Sequence, residues 1–203
     1  MKYFNPRDLA GHVDVLLSQR GEAITLRFAE VADAEALQGY FRGLSASSRY
    51  NRLMGAASEL PAGQLDRFVH IGADDGFSLV ATTSHDGVET IIGEARYALD
   101  DETNSIQIGM SVDDTMQGHG IGTALLGNLT CRAAELGADR VSGDTLRSND
   151  AMLALARKVG FSFTPTPGDW RQVRFEKKIV PAARAIPYAG QRPAAMIADA
   201  NCL

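Results

Sequence analysis

From residue 24 onward the apolar positions follow two periods, and their alternation predicts an order of elements. ITLRF (24–28) alternates apolar and polar side chains, the period of a half-buried strand. Asp33 stands where a helix cap belongs, and Leu37, Tyr40, Phe41 and Leu44 follow at helical spacing on one face. LSASSRYNRLMG (44–55) breaks that spacing with three serines and two arginines. Pro61 opens a further short helix whose Leu65, Phe68 and Val69 share a side. FSLVATT (77–83) and TIIGEARYA (90–98) are β-rich runs on either side of SHDGVE, where Asp86-Gly87 is a hairpin signal. After the turn LDDETN (99–104), SIQIGMSV (105–112) sets Ile106, Ile108, Met110 and Val112 on one face. Ser105, Gln107, Gly109 and Ser111 fall on the other.

DDTMQGHGIG (113–122) then leads into a helix with Leu126, Leu129, Ala133 and Leu136 as its apolar stripe and Gly137 at its exit. DRVSGDTL (139–146) is a strand. SND (148–150) caps a helix with Met152, Leu155, Ala156 and Val159 inward and Gly160 as terminator. FSF (161–163), the turn TPTPGD and WRQVRFEKKI (170–179) close as a hairpin. The order β, α, α, β, β, β, glycine loop, α, β, α, β, β predicts an α+β domain over 24–180. Its sheet is mixed and largely antiparallel, turns parallel around the loop helix, and is flanked by helices. Residues 1–23 are an N-terminal extension with a short helix on the domain edge. Residues 181–203 hold Pro181, Pro187 and Pro193 and form a C-terminal tail. Its Ile186, Tyr188, Met196 and Ile197 exceed what a solvated tail needs, which predicts docking that supports a homodimer.

Composition narrows the chemistry. With 45% hydrophobic and 22% charged residues in 203, the chain can bury a core. No apolar run approaches the ~18–20 residues of a membrane span. Asp8, His12 and Asp14 interrupt the stretch a signal peptide needs, so a cytoplasmic location is expected. Twenty-five acidic against 20 basic residues argue against nucleic acid as a partner. Cys131 and Cys202 make neither a disulfide framework nor a metal site, and no metal is expected. Cys131 is read as a structural thiol on the loop-following helix.

Gln117-Gly118-His119-Gly120-Ile121-Gly122 carries the strongest functional signal. Alternating glycines let the backbone approach a ligand, and the following helix aims free N–H groups at it, as a pyrophosphate requires. GxxxxGK[ST] is absent, and the glycine spacing differs from G-x-G-x-x-G, so neither a P-loop nor a Rossmann site is indicated.

QGHGIG between a strand and a helix resembles the acyl-CoA pyrophosphate loop, Q/R-x-x-G-x-G/A, of the GCN5-related N-acetyltransferases (GNAT). SIQIGMSVDDTMQGHGIG is similar to that superfamily's fourth strand and loop. Asn149, eleven residues before Gly160, resembles its N-x(10)-GF segment. The resemblance covers 24–180 and implies transfer of an acetyl group from acetyl-CoA, as co-substrate, to a primary amine. Gln117, Gly118, His119, Gly120, Ile121, Gly122 and Thr123 would take the pyrophosphate. Met110, Ser111 and Val112 would hydrogen-bond the pantetheine arm, and Asn149 would contact CoA.

Two positions depart from the family pattern. Gln107 stands where a glutamate base is common, and Ala156 where a tyrosine acid is common. Glu94 and Asp144 are the substitute base candidates. Histidine is a common proton carrier near neutral pH, but the place of His119 between glycines suits a solvated or phosphate-facing role. LSASSRYNRLM (44–54) and GEARY (93–97) are similar to a bacterial branch that includes protein lysine acetyltransferases, although Leu53 replaces its usual Phe. There Arg49 and Arg52 either hold an acidic acceptor or pair with local carboxylates. The acceptor is therefore a protein lysine or an amine-bearing small molecule, with lysine favoured. The alternative is a CoA-binding regulatory or interaction module without transferase activity.

Overall fold

The computed structural model describes residues 14–18, 21–70, 76–100 and 102–179. Its elements are β1 (Asp14–Leu17), β2 (Ala23–Phe28), α1 (Ala34–Gly43), α2 (Ala46–Leu53), α3 (Ala62–Val69), β3 (Gly76–His85), β4 (Val88–Asp100) and β5 (Ser105–Val112). There follow α4 (Ile121–Glu135), β6 (Arg140–Leu146), α5 (Asp150–Lys158), β7 (Ser162–Pro165) and β8 (Gln172–Lys178). All eight strands join one sheet in the order β1-β2-β3-β4-β5-β6-β8-β7. Among the described strands only β5 and β6 run parallel, because α4 supplies the crossover a parallel pair needs.

The expected α+β architecture is present, with differences that have physical causes. Residues 14–17, expected near a short helix, instead form β1 on β2. Arg132 and Asn128 of α4 reach Asp14 at 2.9 and 2.5 Å and fasten that edge. The serine-rich stretch after Leu44 is helical. Its Ser45 hydroxyl accepts the Ser48 N–H, so the serine that interrupts the periodicity is the cap of α2. Asp33 does not cap α1 through its side chain. Its carboxylate takes the Glu30 N–H and the Arg27 fork at 2.7 and 2.8 Å, stabilising the 3-10 turn ahead of the helix. Cys131 is half-buried rather than enclosed. Residues 1–13 and the tail 181–203, with the homodimer contact expected of it, lie outside the described residues.

Two cores sandwich the sheet. On one face Leu37, Tyr40 and Phe41 of α1 and Phe68 of α3 cover Val80 and Ile91. Burying a side chain such as Leu37 or Phe41 contributes about 1.5–3 kcal/mol. On the other face Leu125, Leu126 and Leu129 of α4 with Ala156 of α5 cover Ala95, Ile106 and Ile108.

The β5–β6 ladder lasts for three pairs and ends at Gln107–Ser142. The wedge is Phe175 of β8, 2% exposed, beside Gly143. A Cβ at Gly143 would lie 2.4 Å from Phe175 Cζ and 2.7 Å from the Ile108 carbonyl oxygen. Glycine therefore admits ring and carbonyl at the point where the strands part. Gly143→Ala is expected to cost about 1–3 kcal/mol through overpacking. Chemical denaturation measures it, and unchanged stability would mean that the Phe175 ring is free to retreat.

Candidate active site

Where β5 and β6 part, a cavity of about 610 Å³ opens, within the ~300–1,000 Å³ range of small-molecule sites. Residues 107–112 of β5 form one wall, and Gly143, Asp144 and Thr145 of β6 the opposite one. Gly118, Gly120, Gly122 and Thr123 close one end with Asn149, Met152 and Leu155 of α5. Ser48, Asn51 and Arg52 of α2, with Met54 just after it, border another side.

The glycine loop makes the cavity receptive to anions. Gly118 and Gly120 have φ of 78° and 88°, a region that disfavours side chains. Gly120 is the N-cap of α4; it offers no side-chain cap, and the first turn carries no acidic residue. The first-turn N–H groups and the positive dipole end are thus left for a ligand. The Gln117 amide donates to the Val112 carbonyl at 3.1 Å and ties the loop to the end of β5. Ile121 is 2% exposed and packs into the core, and neither it nor His119 lines the cavity. His119 Nδ1 is enclosed without a hydrogen-bond partner. Asn149 caps α5: its Oδ1 accepts the Met152 N–H at 3.2 Å, and its Nδ2 donates to Thr145 Oγ1 at 3.1 Å.

Glu94 and Asp144 lie on opposite sides of the split. Glu94 is 0% exposed and faces Ser111 across the β4–β5 ladder. Arg52 grips it with Nε at 2.6 Å from Oε1 and Nη2 at 3.0 Å from Oε2. Ser111 Oγ donates to Oε1 at 2.5 Å, and Tyr40 donates its phenolic proton to Ser111 Oγ at 3.1 Å. Burial, followed by the Glu94 charge, pushes the Tyr40 pKa up, so its hydroxyl remains a donor. Burial alone would lower the Arg52 pKa, but the charge and hydrogen bonds of Glu94 raise it. Arg52 also lies over the Phe68 ring at 5.5 Å and against the bare Cα of Gly109. Asp144 lines the cavity. It accepts from Arg174 at 3.1 and 2.8 Å and from Thr166 Oγ1 at 3.0 Å.

Both arginines of the SRY stretch are thus used locally. Arg49 caps the end of α1 by donating to the carbonyls of Phe41, Arg42, Leu44 and Ala57. Gln107 is exposed on the cavity wall, whereas Ala156 is 0% exposed on the buried face of α5. Tyr40 and the Ser111 side chain were not singled out by sequence as site residues. Tyr40 reads as an ordinary apolar-face residue, and only the pairing of Glu94 with Ser111 reveals its partner. Among the described residues no three His, Cys, Asp or Glu side chains gather as a metal site. No helix there is long and apolar enough to cross a membrane.

Removing one partner of a buried ion pair costs about 3–5 kcal/mol, because the other charge stays uncompensated. Arg52→Leu should therefore destabilise strongly. Adding Glu94→Leu should restore much of the loss. Thermal unfolding of the two variants checks this, and equal losses in both would mean that the pair does not act as a unit.

Comparison with known proteins agrees with this geometry. The model of the acetyltransferase (GNAT) family matches residues 41–161. An acetyltransferase from Pseudomonas aeruginosa is 26% identical over 153 residues, 75% of this chain and 82% of that protein. The GNAT domain of S. lividans PAT superposes with a TM-score of 0.74 at 24% identity, covering 82% of this chain and 97% of that one. A cAMP-binding acyltransferase from Mycobacterium smegmatis gives 0.57 at 21% identity, covering 96% of this chain but 52% of that longer protein.

Proposed function

The chain belongs to the acetyltransferase (GNAT) family, and on that premise we propose that it acetylates a lysine side chain of a protein. It is an acetyl-CoA-dependent N-acetyltransferase. The observation that carries the site assignment is the split between β5 and β6, facing the uncapped N-terminus of α4. Residues 24–180 form the transferase domain in this reading, with β1 added to its sheet. The pyrophosphate of acetyl-CoA lies on the main chain of 117–123. The Gly118 and Gly120 backbone approaches it, and Ile121 contributes main chain only. The pantetheine arm lies along Met110, Ser111 and Val112, whose main chain has no β6 partner. Asn149 borders the same ligand.

Transfer needs a neutral amine, because an ammonium nitrogen has no lone pair. The amine nitrogen attacks the thioester carbonyl carbon, a C–N bond forms and the C–S bond breaks. A main-chain N–H of the splayed strand stabilises the oxygen that becomes negative. Glu94 takes the proton the amine loses, and the CoA thiolate leaves toward the glycine loop. Asp144, on the other wall, is the second candidate base, but its oxygens are engaged by Arg174 and Thr166. Ala156 offers the thiolate no acid. Lysine is favoured because the SRY stretch forms α2 and borders the cavity, leaving Tyr50 41% and Met54 38% exposed. A partner surface can cover those side chains, which a small amine cannot.

CoA release over lysine peptides, peptides with free α-amino groups and small diamines tests the acceptor. Turnover confined to diamines would overturn the lysine reading. Acetyl-CoA binding without turnover anywhere would favour the CoA-binding module instead. Acetyl-CoA should raise Tm by mass action. Gly120→Asp should abolish that rise, since it sets a carboxylate against the pyrophosphate. A rise retained in the variant would place the ligand elsewhere. Glu94→Gln should lower kcat by about 10²–10⁴ with acetyl-CoA binding intact.

A further inference from the structure

We propose that Ser111 is a catalytic residue whose hydroxyl carries the acceptor's proton to Glu94. The inference rests on the reading of Glu94 as the base. Glu94 has no exposed surface and does not line the cavity, whereas Ser111 does line it. Both carboxylate oxygens are already occupied by Arg52, and Ser111 Oγ is the further partner on Oε1. With Glu94 fully buried, an amine could reach it directly only if side chains of the cavity wall moved aside. The Arg52 guanidinium is held between the Phe68 ring and the Gly109 backbone. Through Ser111 nothing has to move.

The hydroxyl is set for this transfer in one direction. Tyr40 donates to Ser111 Oγ from the core, so the Ser111 proton is left to point at Glu94. A lone pair of the same oxygen remains for the cavity. As the amine nitrogen bonds to the acetyl carbon, its proton passes to Ser111 Oγ. In the same step the Ser111 proton passes to Glu94 Oε1. The serine ends as it began, and the carboxylate becomes a carboxylic acid. Arg52 keeps its charge and its hydrogen bond to Oε2. The strand register makes the relay possible, because Glu94 and Ser111 are direct partners on β4 and β5. Ser111 is thereby used twice. Its main chain borders the thioester arm, and its side chain serves the amine.

The test uses the full chain with acetyl-CoA and the fastest amine of the panel above. Ser111→Ala, which leaves the main chain intact, should lower kcat by about 10²-fold while acetyl-CoA affinity stays within about twofold. Glu94→Gln should be at least as slow, and the double variant no slower than Glu94→Gln, because serially linked groups are not additive. A Ser111→Ala enzyme within about threefold of the parent kcat, or losses that multiply in the double variant, would overturn the relay. Glu94→Gln at full speed would instead sink the reading of Glu94 as base. A proton inventory of the unaltered enzyme in mixed H₂O and D₂O needs no variant to fold. Two protons in flight predict a curved plot, and a linear one overturns the relay.

Discussion

The site depends on a ladder that stops. Parallel pairing between β5 and β6 ends at Gln107 and Ser142 because Phe175 and the Ile108 carbonyl meet over Gly143, where a Cβ would collide with both. Beyond that point the sheet continues on each side, β5 with β4 and β6 with β8, so neither strand is lost. What remains is a gap whose edges still carry backbone hydrogen-bonding groups. Such groups need partners when water leaves, and an extended amide-bearing ligand arm supplies them as a strand would. A glycine without a side chain thus sets the position of the cavity in the fold.

The α2 side of the cavity is held by a buried charge pair, with Leu53 partly buried against the apolar core. α2 has no buried residue of its own, and Arg52 is its strongest attachment to the sheet. A guanidinium stacked on Phe68 and forked onto Glu94 fixes the helix in one rotation. The pair stabilises the wall only while both members are present, and it fills the oxygens of the carboxylate best placed for base chemistry. In the proposed reading, structure and catalysis share one side chain, and a hydroxyl on the neighbouring strand gives the cavity access to it.

Much of this was legible in the sequence, and the failures are local. The glycine loop, the Asp86-Gly87 hairpin, β5 and the α4 stripe follow from periodicity and turn chemistry alone. β1 was missed because four residues carry too little alternation to outweigh a polar neighbourhood, and its fastening by Asn128 and Arg132 comes from far along the chain. α2 was missed because SASSR looks like a helix breaker, whereas Ser45 starts the helix. The Glu94–Ser111 contact was within reach. Pairing Asp100 with Ser105 carries the register to Glu94 and Ser111 without further assumption. The engagement of Arg49 was not within reach, since it depends on where α1 ends in space.

The glycine-loop end of the cavity and its α2 side are also joined through Asp114. Its carboxylate accepts the Ser45 N–H at 2.8 Å and the Ser45 and Ser48 hydroxyls at 2.9 and 2.7 Å. Burial pushes its pKa up, but these bonds outweigh that and hold the carboxyl below its ordinary range, so it stays an acceptor. Asp114 begins the 3-10 turn that leads to Gln117 and the glycine loop, and Ser45 and Ser48 begin α2. The loop cannot move away from β5 without pulling on the start of α2. A helix with no buried apolar face gives little resistance of its own, so its position is set at one end by the loop and in its last turn by Glu94. The glycine-loop end of the cavity and its α2 side are therefore referenced to the same short stretch, residues 111–118, where the open edge of β5 becomes the glycine turn.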